Sequence, residues 1–239
     1  MELIVCTKPR NILDVGVGFG KYGFLSREYL EIWRSHRIYR DDWEIRIDGI
    51  EAFKSYLTPV HDFIYDNIHI GNAIDILPTL KINYDLILLV DIIEHFTFEE
   101  GMKILNECRA RTRNIIISTP INIGHQKDAF GNSFEIHKFQ WRKEHFDKFA
   151  EKFFLCDRHS LICYIGWDAL SIKWRLKSEK RLQLEAKIKY HFPFFLIPYK
   201  ITKIIEAVVK FLYTFIRKGI IDRIVVVACK IKLKLGKLR

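Results

Sequence analysis

Residues 11–20, Asn-Ile-Leu-Asp-Val-Gly-Val-Gly-Phe-Gly, carry the densest chemistry in the chain. An apolar run passes through Asp14, and Gly16, Gly18 and Gly20 then alternate before Lys21 opens a helical pattern. That order predicts a buried strand, a turn without side chains and a helix N-terminus. Glycine is needed where the backbone turns sharply and a ligand must approach with no Cβ in the way. A turn of this kind at the carboxyl edge of a parallel sheet holds a nucleotide-like cofactor. Glu51 ends the next strand pattern, 43–50, where a carboxylate accepts hydrogen bonds from both hydroxyls of a ribose. Asp91 ends the most apolar segment, 84–90, and so stands at the same edge.

The nature of that cofactor turns on Asp14. Gly18, Gly20 and Gly23 also satisfy Gly-x-Gly-x-x-Gly, which alone suggests a dinucleotide. A carboxylate at Asp14, however, repels a pyrophosphate and attracts the ammonium and sulfonium of a methionine moiety. The stretch Ile12-Leu-Asp-Val-Gly-x-Gly-x-Gly20 closely resembles the first motif of class I S-adenosylmethionine-dependent methyltransferases. The resemblance implies that Gly16, Gly18 and Gly20 cradle S-adenosyl-L-methionine beside Asp14 and Asp91. It also puts Glu51 on the ribose, with Ala52 and Phe53 along the adenine. Asn72-Ala73 follows the third strand pattern where the family often has Asp-Ala, whose carboxylate bonds the adenine amino group. Asn72 departs from that pattern, yet its side-chain carbonyl accepts the same hydrogen bond.

Two further stretches resemble methyltransferases. Asp91-x-x-Glu94-His95 is similar to the tail found in many small-molecule enzymes, where His95 either acts as a base or packs beneath the cofactor. Gly131-Asn132-x-x-Glu135-x-His137-x-x-x-Trp141 resembles a run in a bacterial and archaeal subset of unassigned substrate. If the acceptor is a hydroxyl, His137 is the expected general base, because imidazole titrates near neutrality, with Glu135 orienting it. The competing reading has Glu135, His137 and Trp141 fixing a long loop by hydrogen bonding and burial.

The elements that must position these residues alternate as strands and helices. Strand patterns at 43–50, 68–71, 84–90 and 114–120 and a helix at 98–111 imply a doubly wound α/β sheet. A terminal hairpin within 153–167 completes the expected Rossmann-like, seven-stranded methyltransferase sheet, with a C-terminal helical extension beyond it. About 170 residues suffice for one such domain, giving expected boundaries of 1–172 and 173–239.

Composition removes other classes. No Asn-Pro-Pro-Tyr-like run follows the fourth strand, which disfavours methylation of an exocyclic base nitrogen. No His-x-x-x-His or Cys-x-x-Cys spacing is present, so no metal site is expected. Five scattered cysteines in mostly apolar patterns read as reduced core residues, and with no leader ahead of the first strand a cytoplasmic location is expected.

Charge separates the two halves. Residues 173–239 hold 18 Lys and Arg against 4 Asp and Glu, a net of +14, whereas residues 1–172 hold 21 against 25, a net of −4. Lys200, Lys203, Lys210 and Arg217 fall on one helical stripe beside a broad apolar face. The tail is too charged to span a bilayer but suits an anionic membrane surface, with contact expected through residues 190–239. Packing of the apolar face on the domain or on a second copy is the alternative, and nucleic acid ranks third because so many aliphatic side chains suit phosphate poorly. The expected acceptor is a small molecule, a glycan or a lipid-linked intermediate. The competing functions are a non-catalytic methyltransferase-like module tethering partners at a membrane and, more distantly, a dehydrogenase.

Overall fold

The computed structural model describes residues 1–124, 126, 131–156 and 158–191. The chain divides into two compact units, residues 1–179 and 180–239. In the first, α1 (Glu2–Thr7) leads into β1 (Asn11–Val15). α2 (Lys21–Arg27) then continues through a π-helical turn, Glu28–Ile32, into the single turn of α3 (Trp33–Ser35). Next come β2 (Arg46–Glu51), α4 (Pro59–Ile64), β3 (Asn67–Ile70), α5 (Ala73–Ile76), β4 (Tyr84–Val90), α6 (Phe98–Arg111) and β5 (Thr112–Pro120). β6 (Lys152–Cys156) and β7 (Ser160–Gly166) form the terminal hairpin, and α7 (Ala169–His191) follows it.

The strands make one seven-stranded sheet in the order β3-β2-β1-β4-β5-β7-β6. β7 runs antiparallel to both its neighbours, and the pairs from β3 to β5 are parallel. The doubly wound sheet expected from the sequence is therefore present, with the expected antiparallel hairpin at one edge.

Both faces of the central strands are buried, which explains their unbroken apolar runs. In β4, Leu86 and Leu88 join one core layer with Ile12, Ile47, Ile116 and Tyr164. Ile87 and Leu89 join the other with Leu13, Val15, Ile50, Ile115 and Ile117. α6 covers that second layer with Ile104, Leu105 and Cys108. Its start is fixed by a capping box: Thr97 Oγ1 accepts from Glu100 N–H at 3.3 Å, and Glu100 Oε2 accepts from Thr97 N–H at 3.0 Å.

Trp141 also lies in this layer, 1% exposed, and its Nε1–H donates to the Ile93 carbonyl at 3.0 Å. Gly101 makes room for the indole, because a Cβ there would stand 2.4 Å from Trp141 Cζ2. Trp141→Phe removes the shorter of two hydrogen bonds to the Ile93 carbonyl, leaving that from Phe96 N–H at 3.3 Å, and opens a void. The expected cost is about 1–3 kcal/mol, read as a lower urea midpoint.

The charge-based boundary at 172/173 falls inside α7. Ala169, Ile172 and Leu176 are buried against the layer formed by α1 and the sheet, so packing of the first unit runs past residue 172. Cys6, Cys108 and Cys163 are buried, in keeping with the apolar patterns around them. The expected basic stripe, the apolar tail face and most of the expected membrane contact fall on residues 192–239, outside the described residues. Among the described residues, no helix is long and apolar enough to cross a membrane.

Candidate functional site

Strand register brings the site together. Val15 is level with Ile50 on one side and Leu89 on the other, while Glu51 is level with Ile70 and Val90 with Ser118. The residues just past these positions, Gly16, Asn72 and Asp91, therefore meet Glu51 at one edge and line a common cleft.

The glycine turn is built from left-handed backbone, with φ of +75° at Gly16 and +51° at Gly18. A Cβ at Gly16 would lie 2.5 Å from Ile92 Cδ1, whereas one at Gly18 would meet nothing within 4 Å. Gly18 thus presents bare backbone to the cleft. Gly20, also left-handed, is the N-cap of α2. His61, 1% exposed, supports the turn from below: its Nε2–H donates to the Gly18 carbonyl at 2.9 Å, and its Nδ1 accepts from Thr58 N–H at 3.0 Å.

Glu51 is held by both carboxylate oxygens. Oε2 accepts from Gly18 N–H at 2.9 Å and Oε1 from Phe53 N–H at 2.8 Å. Burial pushes its pKa upward, and these backbone donors offset part of the rise. Asp14 lies deeper, 2% exposed, accepting from the Tyr65 hydroxyl at 2.7 Å. Burial pushes its carboxyl up to about 7; the Tyr65 bond opposes this and the nearby Glu51 adds to it. Asp14 does not line the cleft, so its influence on a ligand is exerted through the field behind the turn.

Ala52, Asn72 and Ala73 line the cleft. Asn72 spends its side-chain oxygen as the N-cap of α5, accepting from Ile74 N–H at 3.2 Å. Phe53 packs edge-on against Tyr56, with ring centroids 5.0 Å apart, and of the two it is Tyr56 that lines the cleft. Asp91 adopts φ +53°, a left-handed conformation uncommon outside glycine. Its N–H donates to the Ser118 carbonyl at 2.9 Å, and its Oδ1 accepts from the Ser118 hydroxyl at 3.1 Å.

At the other end stand the candidate catalytic residues. Glu135 Oε1 accepts from the Tyr56 hydroxyl at 2.9 Å and from the Asn132 amide at 3.4 Å. Glu135 Oε2 lies 4.0 Å from His95 Nε2. The carboxylate expected to orient His137 thus sits beside His95, which lines the cleft and is 8% exposed. Burial lowers the His95 pKa, which favours the neutral ring. His137 is half-buried with its ring 5.0 Å from that of His95, and its Nδ1–H donates to the Ile123 carbonyl at 2.6 Å.

Beneath these rings, Glu94 is 1% exposed and burial pushes its carboxyl up to about 8. A donor atom from each of Glu94, His95 and His137 lies within 4.8 Å of the other two. The sequence offered no local metal-ligand spacing; this grouping forms because the fold brings the 131–141 loop back over the turn that follows β4.

Tyr56, Tyr65 and His61 were not singled out in the sequence, and no role was assigned to Asn132 there. Only Asn132 carried a signal there, as the second residue of the Gly-Asn-x-x-Glu run.

No protein-family model matches the chain, and no curated protein matches it. Among solved structures, it is similar to PigF with SAH at 18% identity and a TM-score of 0.46, over 66% of this chain and 50% of that one. An O-methyltransferase family protein from Burkholderia thailandensis matches at 14% identity and 0.47, over 68% and 52%. A SAM-dependent methyltransferase from Archaeoglobus fulgidus matches at 14% and 0.46, over 65% and 85%. The chain thus spans about half the length of the first two. Similarity this distant adds nothing beyond the sheet order, the antiparallel β7 and the glycine turn after β1. The fold is the Rossmann-like methyltransferase fold. In that fold the cleft occupies the carboxyl edge at the point where the strand order reverses between β1 and β4.

Proposed function

We propose that the chain transfers a methyl group from S-adenosyl-L-methionine to an oxygen nucleophile of a small-molecule acceptor. The observation that carries this reading is Glu51, fixed by two backbone N–H groups between the open Gly18 turn and Asp91. Its orientation is preset, so a ribose diol would bind without reordering the carboxylate. Asp14 supplies negative field behind the turn, which suits a cationic ligand and opposes a pyrophosphate.

When bound, S-adenosylmethionine supplies an electrophilic methyl on a sulfonium. The chain's own residues have to hold the acceptor in line and manage its proton. Glu135 and His95 face the cleft for that purpose, and Tyr56 and Asn132 hold Glu135 in place. His137 backs His95 from the adjoining loop. The net charge of +14 in residues 173–239 favours an acceptor presented at an anionic surface, a lipid-linked one among them.

Calorimetric titration of the full chain with S-adenosylmethionine, with NAD as control, tests the reading. Micromolar affinity for the former, about −8 kcal/mol, is expected. Preference for NAD, or no binding by folded protein, overturns it and leaves a dinucleotide enzyme or a tethering module. Glu51→Gln keeps the shape but loses the charge; an affinity loss of about 10- to 100-fold is expected in the same titration.

A further inference from the structure

The 131–141 loop and the turn after β4 are joined through the backbone. The Glu94 carbonyl accepts from Lys138 N–H at 2.8 Å and from Phe139 N–H at 3.2 Å. Those bonds bring His137 over Glu94 and His95, placing three donor atoms within 4.8 Å of one another.

Both imidazoles are oriented in the same way. His95 Nδ1 faces the Ile136 carbonyl at 3.3 Å and His137 Nδ1 faces the Ile123 carbonyl at 2.6 Å. A carbonyl only accepts, so each Nδ1 carries the proton and each Nε2 keeps a free lone pair. Histidines that ligate metals are held by this arrangement, with one nitrogen bonded to a backbone carbonyl and the other left to coordinate. The carboxylate gives a second, independent indication. Glu94 is 1% exposed, yet its Oε2 has no hydrogen-bond partner. A buried, unpartnered carboxyl oxygen is costly unless the group takes up a proton or a cation meets it, and a bound cation displaces that proton.

We propose that Glu94, His95 and His137 bind one divalent transition-metal ion at the acceptor end of the cleft. Two imidazoles and a carboxylate select the manganese-to-zinc series over magnesium or calcium, which prefer all-oxygen shells. His95 lines the cleft, so open coordination positions face it and admit an oxygen of the acceptor. Glu135 Oε2, 4.0 Å from His95 Nε2, adds negative charge at the rim. Such an ion polarises an acceptor hydroxyl and lowers its pKa; with His95 serving as a ligand, Glu135 takes the proton, and the acceptor class narrows to oxygen ligands able to chelate or bind a metal. This extends the methyl-transfer reading, but the site itself does not depend on it.

The test uses the full chain, stripped with a chelator and titrated with Co²⁺ in the absence of any cofactor. Ligand-field absorption should saturate at one equivalent. Glu94→Gln and His137→Asn should each weaken binding by about 100-fold or more, beyond the usual effect of removing an outer-shell partner. Circular dichroism checks that each variant folds, and Glu94→Gln, equal in size to the native side chain, stands in if His137→Asn does not. No saturable Co²⁺ binding by the wild type, or unchanged binding in a folded Glu94→Gln protein, overturns the proposal. Titration of the metal-free chain with S-adenosylmethionine is scored separately, so failure of either reading is distinguishable from failure of the other.

Discussion

Gly18→Arg abolishes S-adenosylmethionine binding and leaves the protein folded. Gly18 has φ +51°, and a Cβ built there meets no atom within 4 Å, so the variant pays only for an L-residue in left-handed backbone. That cost is about 1–2 kcal/mol, a modest drop in melting temperature. The functional cost is far larger. The new side chain starts from a residue that lines the cleft, and Glu51, bonded to the Gly18 N–H, and Asp91 are anionic partners there for its guanidinium. Space and charge intended for the ligand are then taken from within. An affinity near −8 kcal/mol should fall beyond about −4 kcal/mol, the millimolar limit. Gly16→Ala provides the contrast: a Cβ there stands 2.5 Å from Ile92 Cδ1 and 3.0 Å from its Cγ1. Ile92, which lines the cleft, must shift, so stability and binding should fall together. Calorimetry beside a thermal melt separates the two cases. Micromolar binding by folded Gly18→Arg protein would remove the glycine turn from the site.

Raising the pH from about 4 to about 7 destabilises the cofactor-free protein, and Asp14 is the largest identifiable reason near the glycine turn. Its carboxyl titrates at about 7 in the folded chain because of burial, against 3.8 for an exposed one. Between those values the native state holds a proton that the unfolded state has released. Unfolding is therefore favoured as the pH rises: the full contribution is present below 3.8 and gone above about 7. At about 1.36 kcal/mol for each pH unit, the upper bound is about 4 kcal/mol. Asp14→Asn removes the titration while retaining an acceptor for the Tyr65 hydroxyl. The variant should exceed wild type in stability at pH 8 and lose that advantage at pH 5. Urea unfolding at several pH values reads the difference, and parallel pH slopes for the two proteins would refute it. A cationic ligand would hold Asp14 ionised, so binding near pH 6 should also release a proton, visible as a buffer-dependent calorimetric heat.

Much of the frame could be read from local sequence. β4 announced itself because both of its faces are buried, leaving no polar alternation to confuse the reading. α6 was legible because Met102, Ile104, Leu105 and Cys108 share a face and Thr97 and Glu100 cap it. Glu51 could be found because a strand ends on it. What escaped was pairing across distance. Tyr65 reaches Asp14 from 51 residues away, and His61 reaches Gly18 from 43. Neither contact leaves a periodic trace in the chain. Glu135 was read with His137, two residues on, whereas the fold sets it beside His95. The charge boundary at 172/173 marked a change of solvent preference, but α7 continues to bury Leu176 beyond it.

The central position of β1 dictates when this sheet can form. Ile12 pairs with Ile47 on one side and with Leu86 on the other, so the strand made first waits for the fourth before both its edges are satisfied. Parallel neighbours have no hairpin shortcut, and each must be joined through a long closure. On the ribosome, a nascent chain that ends before residue 90 presents β1 as an open apolar edge. High contact order of this kind sets a slow folding limb, on the order of milliseconds to seconds. The glycine turn after β1 is consequently made before the rest of the sheet and is among the last of its segments to acquire a ligand-holding shape.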